Sequence, residues 1–76
     1  MMEEIELDAR GLLCPLPVIK TQDTAKNMKK GTVLRVIATD PGVLQDIPAW
    51  CRIHGHRLIE TKDERNEISI RIEISE

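Results

Sequence analysis

The sequence predicts an α/β fold in which a four-stranded mixed sheet carries two helices on one face. Three observations predict it. The hydrophobic period alternates between strand and helical spacing in the order β-α-β-α-β-β. Gly and Pro fall at the points where the period changes. The apolar residues are nearly all aliphatic, with one Trp and no Phe or Tyr in 76 residues, so Ile, Leu and Val must build a thin core. Residues 1–76 read as a single domain, without linker, repeat or low-complexity stretch.

In the first element, Ile5, Leu7 and Ala9 alternate with Glu6 and Asp8 as in a strand. Gly11 then supplies a flexible point for a turn. Pro15 and Pro17 fit only the first turn of a helix, where their missing N–H groups have no helical partner to lose. Val18, Thr21, Ala25 and Met28 form the helix's apolar stripe, and Lys29-Lys30-Gly31 is expected to end it. Thr32 to Thr39 reads as a central strand, stopped by Asp40-Pro41-Gly42. Val43, Ile47, Trp50, Cys51 and His54 define a second helix ending at Gly55, in which Pro48 marks either a late first turn capped by Asp46 or a kink. His56 to Lys62 is a strand, Asp63-Glu64-Arg65-Asn66 a hairpin loop, and Ile68, Ile70, Ile72 and Ile74 one face of the last strand. Two helices on one face bury all these stripes most simply. Strand order stays open.

Charge narrows the function classes. A net charge of −2 does not suit stable binding to nucleic acid, which needs an excess of Lys and Arg on one face. No apolar run approaches the length of a membrane span. The acidic start, Met1-Met2-Glu3-Glu4, lacks the pattern of a signal peptide, so a cytoplasmic location is expected. In that compartment Cys14 and Cys51 read as thiols more readily than as a structural disulfide.

Cys14 is the candidate catalytic residue. It sits just before a proline-initiated helix, whose unpaired N–H groups and positive dipole end favour a thiolate. That position predicts an accessible thiol of lowered pKa. Arg10, four residues upstream, is placed to add positive charge. The competing reading is a cysteine that only packs.

The run Leu7-Asp8-Ala9-Arg10-Gly11-Leu12-Leu13-Cys14-Pro15-Leu16-Pro17-Val18 resembles the Cys-Pro-x-Pro signature of the TusA/SirA-like sulfur-carrier family. Asp40-Pro41 and Asp46-Ile47-Pro48-Ala49-Trp50-Cys51 extend the resemblance over essentially the whole chain. It implies a two-layer α/β (α+β) sandwich and a sulfurtransferase role. The motif cysteine, here Cys14, would carry a persulfide, supported by Arg10, Gly11, Pro15 and Pro17. The implied partners are a sulfur donor, such as a cysteine desulfurase or rhodanese-like protein, and an acceptor protein. The implied pathways include tRNA thiolation, cofactor thiolation and sulfur oxidation. No cofactor or metal is needed, and a monomer suffices. Members acting in tRNA thiolation often have Glu between the two prolines, where this chain has Leu16.

Other residues carry competing readings. Cys51 is either a packed thiol or a resolving thiol that forms a transient disulfide with Cys14. Cys51, His54 and His56 lack the paired spacing of a zinc site. Asp8 and Asp40 suit turns and caps. Lys26, Lys29 and Lys30 are either a solvated helix end or a docking patch for a partner's acidic surface. Two alternatives to sulfur transfer stand beside it: a regulatory interaction module and a Cys14/Cys51 thiol-disulfide switch.

Overall fold

A computed structural model describes residues 3–75. Its elements are β1 (Glu4–Ala9), α1 (Leu16–Ala25), β2 (Val33–Ala38), α2 (Val43–His54), β3 (Arg57–Glu64) and β4 (Glu67–Glu73). They form one mixed sheet of order β1-β2-β4-β3. β1 pairs in parallel with β2, and β4 pairs antiparallel with both β2 and β3. The two crossovers step across the sheet in the same direction. Right-handed connections then place both helices on the same face.

The core follows from the strand period. Ile5, Leu7 and Ala9 lie opposite Leu34, Val36 and Ala38. These in turn face Ile72, Ile70 and Ile68. The helices close this layer with Thr21, Ala25, Val43, Ile47, Trp50 and Cys51, all buried. Removing an Ile, Leu or Val side chain from water contributes about 1.5–3 kcal/mol each, so the four buried isoleucines 68, 70, 72 and 74 are a main source of stability. On the other face charge dominates. Arg71 bridges Glu4 at 3.0 Å and Glu60 at 3.5 Å, and Arg35 approaches Glu6 at 3.7 Å. Val33 and Ile37 are nonetheless buried there, with β1 and β4 residues in register on either side.

Three boundaries differ from the sequence expectation. α1 ends at Ala25, not at the lysines. Tighter bonds from Asn27 N to Thr24 O and from Met28 N to Ala25 O replace the helical ladder there. Gly31, at φ +93°, instead turns the chain into β2, and its N–H donates to Ile74 O at 2.7 Å. α2 starts at Val43 with Gly42 as its N-cap, so Asp46 lies inside the first turn and Pro48 inside the helix. The hairpin loop contracts to Arg65-Asn66, both at positive φ (52° and 64°), the conformation of a two-residue turn matched to strand twist. Asp63 and Glu64 therefore belong to β3.

Candidate functional site

The parallel pairing of β1 and β2 builds the site. Ala9 and Ala38 are in register at the carboxyl ends of the two strands. Both chains leave the sheet at that end to enter helices, so residues 10–15 and 39–42 meet over one edge of the core. In open α/β sheets this is where ligands and reactive groups collect. Gly11, at φ +79°, makes the first turn and donates its N–H to Thr39 Oγ1 at 2.9 Å. The Cys14–Pro15 peptide bond is cis. Pro15 is the N-cap of α1, and Pro17 is buried in its first turn.

Asp40 ties the two loops together. Its Oδ2 accepts the Cys14 N–H at 2.7 Å, and its Oδ1 accepts the Gly42 N–H at 3.2 Å. These two bonds hold the Asp40 carboxyl below the usual carboxylate range. Gly42 is required by space: a Cβ there would stand 2.9 Å from Cys14 Sγ. The cysteine sulfur therefore rests against the start of α2. Asp46 is one turn further along, and helical side chains lean toward the N-terminus, so its carboxylate lies over Gly42 and beside the sulfur.

This arrangement reverses the expected electrostatics. Burial, then the Asp46 and Asp40 carboxylates, push the Cys14 thiol up to about 12. α1 offers a thiolate no free N–H to offset this. Pro15 and Pro17 have none, Leu16 N donates to Leu13 O at 2.9 Å, and Val18 N donates to Pro15 O at 3.1 Å. Arg10 does not serve the sulfur either. Its guanidinium pairs with Asp8 at 2.9 Å and Glu67 at 3.5 Å, and Asp8 is thereby lowered to about 2.

The remaining candidates lie elsewhere. Cys51 is a buried core thiol, pushed up to about 11 by burial. It is nine residues along α2 from Gly42, which is about 13 Å along the helix axis. A disulfide needs Cα atoms closer than about 7 Å, and both cysteines are free thiols here, so the placement of Cys51 on α2 weighs against a direct bond to Cys14. Lys26, Lys29 and Lys30 sit beyond the far end of α1, about 15 Å from the motif. Lys26 also borders an open groove with Gln22, Trp50, Ile53 and His54, remote from Cys14. Among the described residues no His, Cys, Asp and Glu cluster could hold a metal, and no helix is long and apolar enough to cross a membrane.

Sequence reasoning did not find Gly42 or the contact of Asp46 with the sulfur, and it read Asp40 as a turn or capping residue, with an acid pair to Asp8 as the sharper alternative. The signal for all three was the parallel β1-β2 register, which no local pattern reveals.

A two-layer α/β sandwich with a half-exposed cysteine clamped where two parallel strands end defines a small thiol-bearing class of protein. The chain matches the family described as "Sulfurtransferase TusA" over residues 5–74, and it belongs to that family. It is 49% identical over 59 residues to the sulfur carrier protein TusA of Allochromatium vinosum, a stretch covering 78% of each chain. It is 44% identical over 64 residues to YrkF of Bacillus subtilis, covering 84% of this chain and 35% of that longer protein. Among solved structures, the SirA-like protein of Desulfitobacterium hafniense superposes with a TM-score of 0.80 at 25% identity, covering 93% of this chain and 97% of that one.

Proposed function

We propose that this protein is a sulfur carrier that receives sulfur as a persulfide on Cys14 and passes it to an acceptor protein. The observation that carries the reading is the placement of Cys14. Its backbone is fixed by Asp40, its side chain is only half buried, and it lies outside the groove lined by Trp50 and His54 and those lined by Arg35 and Lys62. A carrier needs such an open position, because donor and acceptor must reach the same atom in turn. Membership of a family with relatives named sulfur carriers supports the same role.

The donor in this reading is a cysteine desulfurase or a rhodanese-like protein. Leu16, exposed beside the sulfur, leaves the acceptor open among tRNA thiolation, cofactor thiolation and sulfur metabolism. The Lys26, Lys29 and Lys30 turn offers a second docking surface away from the thiol. Incubation with a desulfurase and cysteine, followed by intact mass measurement, tests the role. The protein and its Cys51→Ser variant should each gain sulfur, and Cys14→Ser should not. Equal loading of Cys14→Ser refutes the proposal.

A further inference from the structure

The sulfur of Cys14 lies among groups of one sign. Asp40 faces it from the loop after β2, where its Oδ2 accepts the Cys14 N–H at 2.7 Å and lies 3.6 Å from the Gly42 Cβ position that Sγ approaches to 2.9 Å. Asp46 stands one turn along α2 from Gly42. Burial, then these two carboxylates, disfavour the thiolate. The cations flanking the motif in the chain are committed elsewhere: Arg10 to Asp8 and Glu67, and Lys20 Nζ to the Asp8 carbonyl at 3.1 Å. Asp46 is exposed, and no hydrogen bond or ion pair to a cation occupies it among the described residues. Exposed apolar side chains flank Cys14 in the chain. Leu13 is 73% exposed and Leu16 51%, one on each side of Cys14 in the chain. Leucines so exposed beside a reactive group suit contact with another protein.

We propose that Asp40 and Asp46 keep Cys14 a latent thiol, and that a docking partner releases it by placing a Lys or Arg on Asp46 from within an apolar contact surface. This rests on the reading of Cys14 as the sulfur-carrying atom. Charge complementarity identifies the occupant. A cation at Asp46 neutralises the repulsion that disfavours the thiolate, and it adds attraction of its own. The freed sulfur attacks the outer sulfur of the donor's persulfide. The donor's sulfur–sulfur bond breaks, its electron pair leaves on the donor cysteine, and the proton lost by Cys14 ends there. One thiol and one persulfide exchange places, and no oxidant or reductant is consumed. Between encounters the neutral thiol resists stray oxidation, which follows thiolate character.

Two methanethiosulfonate reagents test this, one with an aminoethyl cation and one with a sulfonatoethyl anion. Both place a thioalkyl group on a thiol, read by intact mass. Each rate is divided by that reagent's rate with mercaptoethanol. The protein should prefer the cation about tenfold, the scale of one unit charge pair near a surface. The preference should fall at least about threefold in Asp46→Asn, persist in Asp46→Glu, and stay unchanged in Asp23→Asn, a remote charge control. It should also shrink with added salt. No preference in the parent protein, or an unchanged one in Asp46→Asn, overturns the inference, as does identical labelling of Cys14→Ser. Sulfur loading is measured separately. Loading on Cys14 without charge preference refutes only this inference. Preference without loading refutes the carrier reading and the inference with it.

Discussion

Burial and the carboxylates of Asp46 and Asp40 together push the Cys14 thiol up to about 12. This has a consequence for stability. A group whose pKa is raised in the folded state supports folding below its unfolded pKa and loses that support as pH rises through the folded value. For Cys14 the window runs from 9.0 to about 12, and for Cys51 from 9.0 to about 11. Denaturant midpoints should therefore fall across that range, and less steeply in Cys14→Ala. A profile identical to that of the parent would show that the carboxylates do not act on the sulfur. Gly42→Ala places a methyl 2.9 Å from Sγ, so it should destabilise by about 1–3 kcal/mol and slow sulfur acceptance. Urea titration and the loading assay check both effects. Asp40→Ala removes acceptors from two backbone N–H groups and should lower the urea midpoint in the same titration.

Secondary structure was most legible where a hydrophobic period met a stop residue, as at α2, where Gly55 in a left-handed conformation ends the helix as expected. It was least legible where short-range hydrogen bonding set the boundary. The Lys29-Lys30-Gly31 pattern resembled a helix end, but α1 had already tightened into a turn after Ala25. The two-residue hairpin was hidden because neither Arg65 nor Asn66 is a Gly. Arg65 carries the steric penalty of positive φ, so Arg65→Gly should raise stability by about 0.5–1 kcal/mol. A lower urea midpoint in that variant would contradict the turn assignment. Ile70, wholly buried on β4, should lose about 2–5 kcal/mol on change to Ala. In a domain this small that loss leaves little folded protein at room temperature, which circular dichroism would report.

At the scale of the molecule, the sheet divides two kinds of surface. One face holds the helices and the core, and the other a set of ion pairs centred on Arg35 and Arg71. Those exposed pairs contribute little each and weaken in salt. The parallel β1-β2 pair builds the surroundings of Cys14, since it starts both helices at the same edge and brings Asp40, Gly42 and Asp46 to that residue. The Cys-Pro-x-Pro run marked the cysteine in the sequence. Its surroundings were not legible, because they come from residues some thirty positions away that only tertiary pairing brings near. The same pairing explains why burial and two carboxylates, in place of the expected helix-end activation, set the environment of Cys14.

The central claim is that Cys14 is the atom that carries sulfur. Its most direct test is to load the protein with a desulfurase and cysteine, block remaining thiols and persulfides by alkylation, digest, and locate the extra sulfur by peptide mass. The extra sulfur should lie on the peptide containing Cys14, with Cys51 unmodified by sulfur. Extra sulfur on Cys51, or none on Cys14 under conditions that load a known carrier, would contradict it.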